Sequence, residues 1–158
     1  MMKVTKVVIT GDKSYVEEVE ADESKYTPQG EVLIQAKLRK QEENKRALAS
    51  WLSAHPLTWT DGKKYGVEEQ DQTEMALNLM QYQAATMASR QAVLEWHAQK
   101  EACREFTQEE YLGLSTAIAS YVYQYRRYQE AIKAQIYAAE TVEEVMEFVI
   151  DYESVSHG

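Results

Sequence analysis

Residues 107–136 read TQEEYLGLSTAIASYVYQYRRYQEAIKAQI. Apolar or aromatic side chains recur at Tyr111, Leu114, Ile118, Tyr121, Val122, Tyr125, Tyr128, Ile132 and Ile136, in steps of three and four. That repeat lines one face of an α-helix, so this stretch predicts a helix of about 30 residues with one apolar face along its whole length. Thr107 with Glu110 forms a capping-box pair that opens it. A helix this long and one-sided needs a cover, and the search for that cover organises the rest of the chain.

Downstream, Thr141 with Glu144 predicts another capping box and a short helix whose Val142, Val145, Met146 and Val149 pack back. The segment from Asp151 reads as polar, with residues 154–158 a tail. Upstream, Ala92 to His97 and Glu101 to Phe106 flank a polar turn and predict a hairpin. Asp71 with Glu74 opens a helix from about Gln72 to Ser89, its inner face being Met75, Leu79, Tyr82 and Thr86. Before it, Leu57 to Thr60 and Lys63 to Val67 flank Asp61-Gly62. That dipeptide predicts a hairpin closed by a type I′ turn, in which both central residues take positive φ.

The first 55 residues have a different texture. Lys3 to Ile9 and Ser14 to Glu20 are rich in β-branched residues around Gly11-Asp12-Lys13, a further hairpin. After Thr27-Pro28-Gln29-Gly30, a run to Ala54 without proline or glycine predicts one long helix, stopped by His55-Pro56. Its apolar residues gather at the two ends, while Arg39 to Arg46 is polar and is either solvated or set in a polar seam. Ile34, Leu38, Gln41, Lys45, Leu48 and Leu52 fit heptad positions with two polar interruptions, which permits a homo-oligomer without demanding one. The fold class is α+β: an N-terminal β-hairpin and long helix over residues 1–55, then a compact module of two β-hairpins and three helices over residues 56–153.

With 158 residues and a formal charge of -9, the chain is a poor match for a phosphate backbone, so no nucleic acid is expected as partner. Basic and acidic residues are nine each through His55, whereas eight basic face seventeen acidic after it, so the module carries the whole imbalance. No apolar run approaches the roughly 20 residues of a membrane span, and the Met1 to Lys6 stretch has no signal-peptide pattern. No membrane partner and no secretion by a signal peptide are expected. The single cysteine and three dispersed histidines define no disulfide framework or metal spacing, so no cofactor and no metal are expected.

Each conspicuous constellation has a plainer reading. Tyr121, Tyr125 and Tyr128 share the face of Ile118 and Ile132 and belong to the core with their hydroxyls at its edge. Tyr123, beside Arg126 and Arg127, lies off that stripe and is the candidate for exposed contact. Trp59 and Trp96 cover the long helix from two hairpins, and Trp51 packs the N-terminal helix onto the module. Glu109-Glu110 and Glu143-Glu144 sit in first helical turns, where the macrodipole favours negative charge, so they are no catalytic pair. Cys103 and His97 flank one turn and could approach each other, but strand alternation makes Cys103 a small buried hydrophobe. No catalytic residue is assigned. The candidate partner contacts are Tyr123, Arg126, Arg127, Trp51, Ile34 and Leu38.

Several of these landmarks occur in a familiar order between residues 55 and 153. His55-Pro56-Leu57, Asp61-Gly62-Lys63-Lys64-Tyr65-Gly66-Val67 and the helix carrying Leu77, Leu79 and Tyr82 come first. Leu94-Glu95-Trp96-His97, Cys103 to Phe106, Thr107-Gln108-Glu109-Glu110, Ile118 to Val122, Thr141 to Val145 and Ile150-Asp151-Tyr152 follow. Together they resemble a domain of unknown function found in tail-module proteins of bacteriophages and prophages of gut Firmicutes. Lys3 to Leu38 is similar to the opening of small prophage proteins of this kind. The resemblance implies a non-enzymatic role at a phage tail, in a tail fibre, baseplate or assembly factor, with other tail proteins or itself as partners. It implies a location in the virion tail or in the cytoplasm of the infected host. The shared motifs are turns, caps and core aromatics. The alternative from composition is a small acidic phage-encoded inhibitor that occupies the basic groove of a host defence protein.

Overall fold

The computed structural model describes residues 2–10, 13–21 and 28–155, with side chains from Gly30 to Val155. Gly11 and Asp12, where the turn of the first hairpin is expected, and residues 156–158 lie outside the described residues. The fold is α+β, with helix predominating and the strands confined to small antiparallel hairpins. Strands β1 (Met2–Thr10) and β2 (Lys13–Ala21) pair with Val4 opposite Val19 and Val7 opposite Val16. Helix α1 (Pro28–Ala54) follows, beginning two residues before Gly30 because Pro28 suits a first helical turn, where its missing N–H is not needed. Strands β3 (Leu57–Thr58) and β4 (Lys64–Tyr65), helix α2 (Glu69–Met87), strands β5 (Glu95–Trp96) and β6 (Arg104–Glu105), helix α3 (Gln108–Ala138) and helix α4 (Val142–Glu147) complete the order. A 3-10 turn closes it at Tyr152–Ser154.

α3 is the axis. Tyr111, Leu114, Ile118, Val122, Tyr125, Ile132 and Ile136 are buried along it, and Tyr121 and Tyr128 are partly buried against the same core. Thr107 Oγ1 accepts from Glu110 N–H at 3.1 Å while Glu110 accepts from Thr107 N–H at 2.9 Å, the reciprocal cap. α1 runs antiparallel to α3 and contributes Leu48 and Leu52 to the core shared with Tyr65, Met75, Trp96 and Phe106. The boundary expected at residue 55 therefore falls inside one packed core.

The polar middle of α1 is a seam. Lys37 Nζ donates to the carbonyl of Tyr137 at 2.8 Å, Gln41 Nε2 to that of Lys133 at 3.4 Å, and Asn44 Nδ2 to that of Gln129 at 3.2 Å. Donors at residues 37, 41 and 44 lie on one helical face and meet carbonyls one turn apart on α3. This face differs from the expected heptad stripe: Ile34 is 50% and Leu38 58% exposed, because the buried ridge passes through Asn44, Leu48 and Leu52.

Several local expectations are corrected. The β3–β4 turn is not type I′: only Gly62 has positive φ, at 79°. Gly62 N–H donates to the Trp59 carbonyl at 2.9 Å and Trp59 N–H to the Lys63 carbonyl at 2.9 Å, which is a three-residue loop with a left-handed glycine. Asp61 then accepts from Lys63 N–H. α2 begins at Glu69 rather than Gln72, because Asp71 accepts from Glu68 N–H at 3.0 Å and closes the cap one turn earlier than Glu74 could. At α4, Thr141 Oγ1 accepts from Glu144 N–H but the Glu144 carboxylate turns to Glu140 N–H, so the box is not reciprocal. Val145 is buried and Val142 partly so, whereas Met146 is 69% and Val149 76% exposed, six residues being too short to turn more than one apolar edge inward. The polar C-terminal segment contains a core residue, Tyr152.

Candidate interaction surfaces

The two small hairpins are tied together through Asp61. Its carboxylate accepts from Lys63 N–H at 2.9 Å and from Tyr65 Oη at 2.7 Å, and lies 3.6 Å from the Arg104 guanidinium. Partial desolvation works to raise the Asp61 titration, but the Tyr65 and Lys63 hydrogen bonds and the nearby Arg104 and Lys63 charges outweigh it and leave it lowered. Arg104 also lies 3.6 Å over the Phe106 ring, and Gln99 N–H donates to the Lys64 carbonyl at 2.8 Å. This network is structural: it fixes where the hairpins cap the first turns of α3.

The six candidate contacts fall in separate places. Tyr123 is 63% exposed on the outer face of α3, and Arg126 and Arg127 are exposed near it. Arg126 also borders a small cleft of about 230 Å³ with Lys45, Leu48, Glu68 and Glu69. Ile34 and Leu38 lie far along α1 from this group. Trp51 is half-buried, stacked on His55 at 3.6 Å and 5.7 Å from the Tyr125 ring, with its Nε1 buried and unpaired. His55 Nδ1 is 2.8 Å from the Trp51 carbonyl, and its own carbonyl accepts from Tyr121 Oη at 2.9 Å, so this end of α1 is a packed joint. Burial and the nearby Tyr125 hydroxyl push the Tyr121 phenol up to about 12.

Trp96 is buried with its ring 6.4 Å from Tyr111, and Trp59 is partly buried edge-on to Tyr65 at 6.0 Å. Of Trp59, Trp96 and Tyr123, Tyr123 has the exposed ring. Cys103 is exposed, not buried, because β6 starts only at Arg104 and the cysteine belongs to the loop. Its Sγ is 3.9 Å from His97 Nδ1. Among the described residues, no group of three or more His, Cys, Asp or Glu side chains comes together to hold a metal ion. Among them, too, no helix is long and apolar enough to cross a membrane.

Two surface features and one buried contact were missed by sequence reasoning. A groove of about 650 Å³ lies between the first turns of α1 and helix α4, with Val32, Ala36, Val142 and Met146 in its lining and Glu31, Arg39 and Glu43 among its charged residues. The outer face of α2 carries exposed Leu77, Met80, Ala84 and Met87. Asn44, in the polar part of α1, is wholly buried beneath Tyr152, whose hydroxyl donates to its Oδ1 at 2.6 Å. The α2 face had a readable signal, the three-four-three spacing. The groove had none, since its walls are about 100 residues apart in sequence.

Comparison with known proteins found no matching family model, no matching curated protein and no matching solved structure.

Proposed function

We propose that this chain is a non-enzymatic structural or assembly protein of a bacteriophage tail that works through protein–protein contacts. The N-terminal hairpin and α1 are its docking part, and the acidic module after residue 55 is its body. The observation that carries the reading is the N-terminal half of α1. The antiparallel seam brings Lys37 level with Tyr137, in the last turn of α3, so the turns before it run past the end of their partner helix. Val32 and Ile34 stand there and Leu38 directly after Lys37, all 50–58% exposed; Val32 borders the groove against α4, and Ile34 and Leu38 lie on the other side of the helix. Apolar side chains left exposed at one end of a helix are what a protein interface uses. The resemblance of residues 55–153 to a phage-tail domain supplies the setting.

The test is deletion of the coding sequence in a producing phage, with electron microscopy of the particles and mass spectrometry of purified virions. Defective tails, or the protein in the particle, are expected, and Leu38→Glu should fail to complement. Normal tails together with absence from the virion would refute the reading.

The seventeen acidic against eight basic residues after His55 favour one alternative, an inhibitor of a basic host defence protein. It requires salt-sensitive binding to such a protein, measured in a pull-down at low and high ionic strength.

A further inference from the structure

The N-terminal hairpin has one apolar face. β1 and β2 pair rung by rung, and successive rungs alternate between the two faces of the ribbon. One face carries Met2 with Ala21, Val4 with Val19, Lys6 with Glu17 and Val8 with Tyr15, then Thr10 with Lys13 at the turn. The other carries Lys3 with Glu20, Thr5 with Glu18, Val7 with Val16 and Ile9 with Ser14. The first face is therefore apolar on both strands, apart from its turn end and a single Lys with Glu rung. A two-stranded ribbon is marginal in water by itself and takes its stability from what covers its apolar face. No third strand joins this sheet. Among the described residues the packed elements, α1 with α3 and α4 and α2 with α3, leave the hairpin out.

The Lys6 with Glu17 rung selects the occupant. It stands midway between the rung of Met2 and that of Thr10, at the centre of the face. Two copies laid face to face about a two-fold axis running across the strands would set Lys6 over Lys6 and Glu17 over Glu17. An axis running along the strands sets β1 of each copy over β2 of the other. Lys6 then lies level with Glu17 of the second copy, and Glu17 with its Lys6. The same arrangement sets Val4 level with Val19 of the second copy, Val8 with its Tyr15 and Met2 with its Ala21, so every apolar rung meets an apolar rung. Stacked sheets cross at about 30°, and at the centre of the crossing the twist displaces the charged rung least. A polar pair within an apolar seam is a device that fixes register and orientation.

We propose that the face of the N-terminal hairpin carrying Met2, Val4, Val8, Tyr15, Val19 and Ala21 is a two-fold dimer interface, packed on the same face of a second copy with β1 over β2. Both copies use one patch, so the assembly closes at two chains. This gives the docking part of the chain its first partner and stands whether or not the chain serves a phage tail. Particles judge the tail reading, and mass in solution judges the dimer. At about 3.4 Å per rung and about 5 Å between strands the face measures roughly 30 by 10 Å. That is under the roughly 800 Å² per partner of a standard interface, so association belongs in the micromolar range.

Sedimentation velocity of the full chain, from about 1 to about 500 µM, should show a concentration-dependent shift from monomer to dimer mass. Lys6→Glu and Glu17→Lys should each weaken association at least about tenfold, because each sets like charges over one another at the centre. An equimolar mixture of the two variants should associate to within about threefold of wild type. Each chain's own rung is still like-charged in that mixture, so the recovery comes from the second copy and not from repair of the hairpin. Thr5→Lys, on the other face and opposite Glu18, should leave association unchanged. A wild-type chain that stays monomeric, or that grows past two copies, overturns the proposal. So does an oligomer indifferent to both charge substitutions, a mixture no better than its separate components, or a Thr5→Lys loss equal to theirs.

Discussion

Removing the hydroxyl of Tyr152 tests the joint that holds the C-terminal turn, α1 and α3 together. Tyr152 is 4% exposed, its ring packs edge-on to Tyr128 at 5.0 Å, and its hydroxyl donates to Asn44 Oδ1 at 2.6 Å. Asn44 is 0% exposed, and its amide group donates to the Gln129 carbonyl. Tyr152→Phe keeps the ring packing and leaves Oδ1 buried without that donor. A neutral hydrogen bond contributes about 1 kcal/mol net, and an orphaned buried acceptor costs about 1–3 kcal/mol, so the expected loss is about 2 kcal/mol. For a chain of this size that lowers Tm by about 4–8 °C. Asn44→Leu should destabilise by a similar amount, leaving the tyrosine hydroxyl unpaired. The double variant should lose less than the sum, because neither partner of the Tyr152–Asn44 bond is then left without the other. Urea denaturation of the four proteins measures the cycle. A Tyr152→Phe loss under about 0.5 kcal/mol, or strict additivity, would refute the account, since typical coupling of touching residues is at least that large.

Three further outcomes follow from the same structure. Gly66→Ala should cost about 1 kcal/mol, because the added Cβ would sit 2.5 Å from Asp71 Oδ2 and displace the group capping α2. Gly113→Ala should instead stabilise by about 0.5–1 kcal/mol, its Cβ meeting Trp59 at an ordinary 3.7 Å, and thermal melts distinguish the two. Asp61→Ala should destabilise by about 1–2 kcal/mol at neutral pH through loss of the Lys63 and Tyr65 hydrogen bonds. A carboxylate whose titration is lowered on folding adds stability above its unfolded value of 3.8 and loses it as pH falls through the folded value, so the gap to wild type should close in acid. Tyr121 and Tyr152 are both raised by burial, Tyr121 to about 12. An acid raised on folding adds stability that is complete below its unfolded value, here 10.0, and is lost as pH rises through the folded value. Urea midpoints should therefore hold to about pH 10 and fall above it, less steeply in Tyr152→Phe.

What the sequence alone determined was local. The face of α3 from Tyr111 to Ile136 was legible because a helix repeats every three to four residues whatever lies beside it. The Thr107 cap was legible because its partners are three residues apart. The split of Tyr123 from Tyr121, Tyr125 and Tyr128 followed from the same angular arithmetic. Where two local signals competed, tertiary structure chose: Asp71 could start a helix or cap one, and it caps because Gly66 leaves its carboxylate room. Cys103 could continue a strand or sit in a loop, and the pairing of Arg104 with Trp96 left it outside. The polar middle of α1 could face water or α3. Only the antiparallel docking of the two helices, which brings Lys37, Gln41 and Asn44 level with the carbonyls of Tyr137, Lys133 and Gln129, turned it inward. The Asn44–Tyr152 bond joins residues 108 apart, and the groove of Val32 and Met146 likewise joins distant segments. Neighbours so far apart in the chain leave no periodic trace. Their meeting is set by which helix faces bury the most apolar surface together, a property of the whole core and not of any window within it.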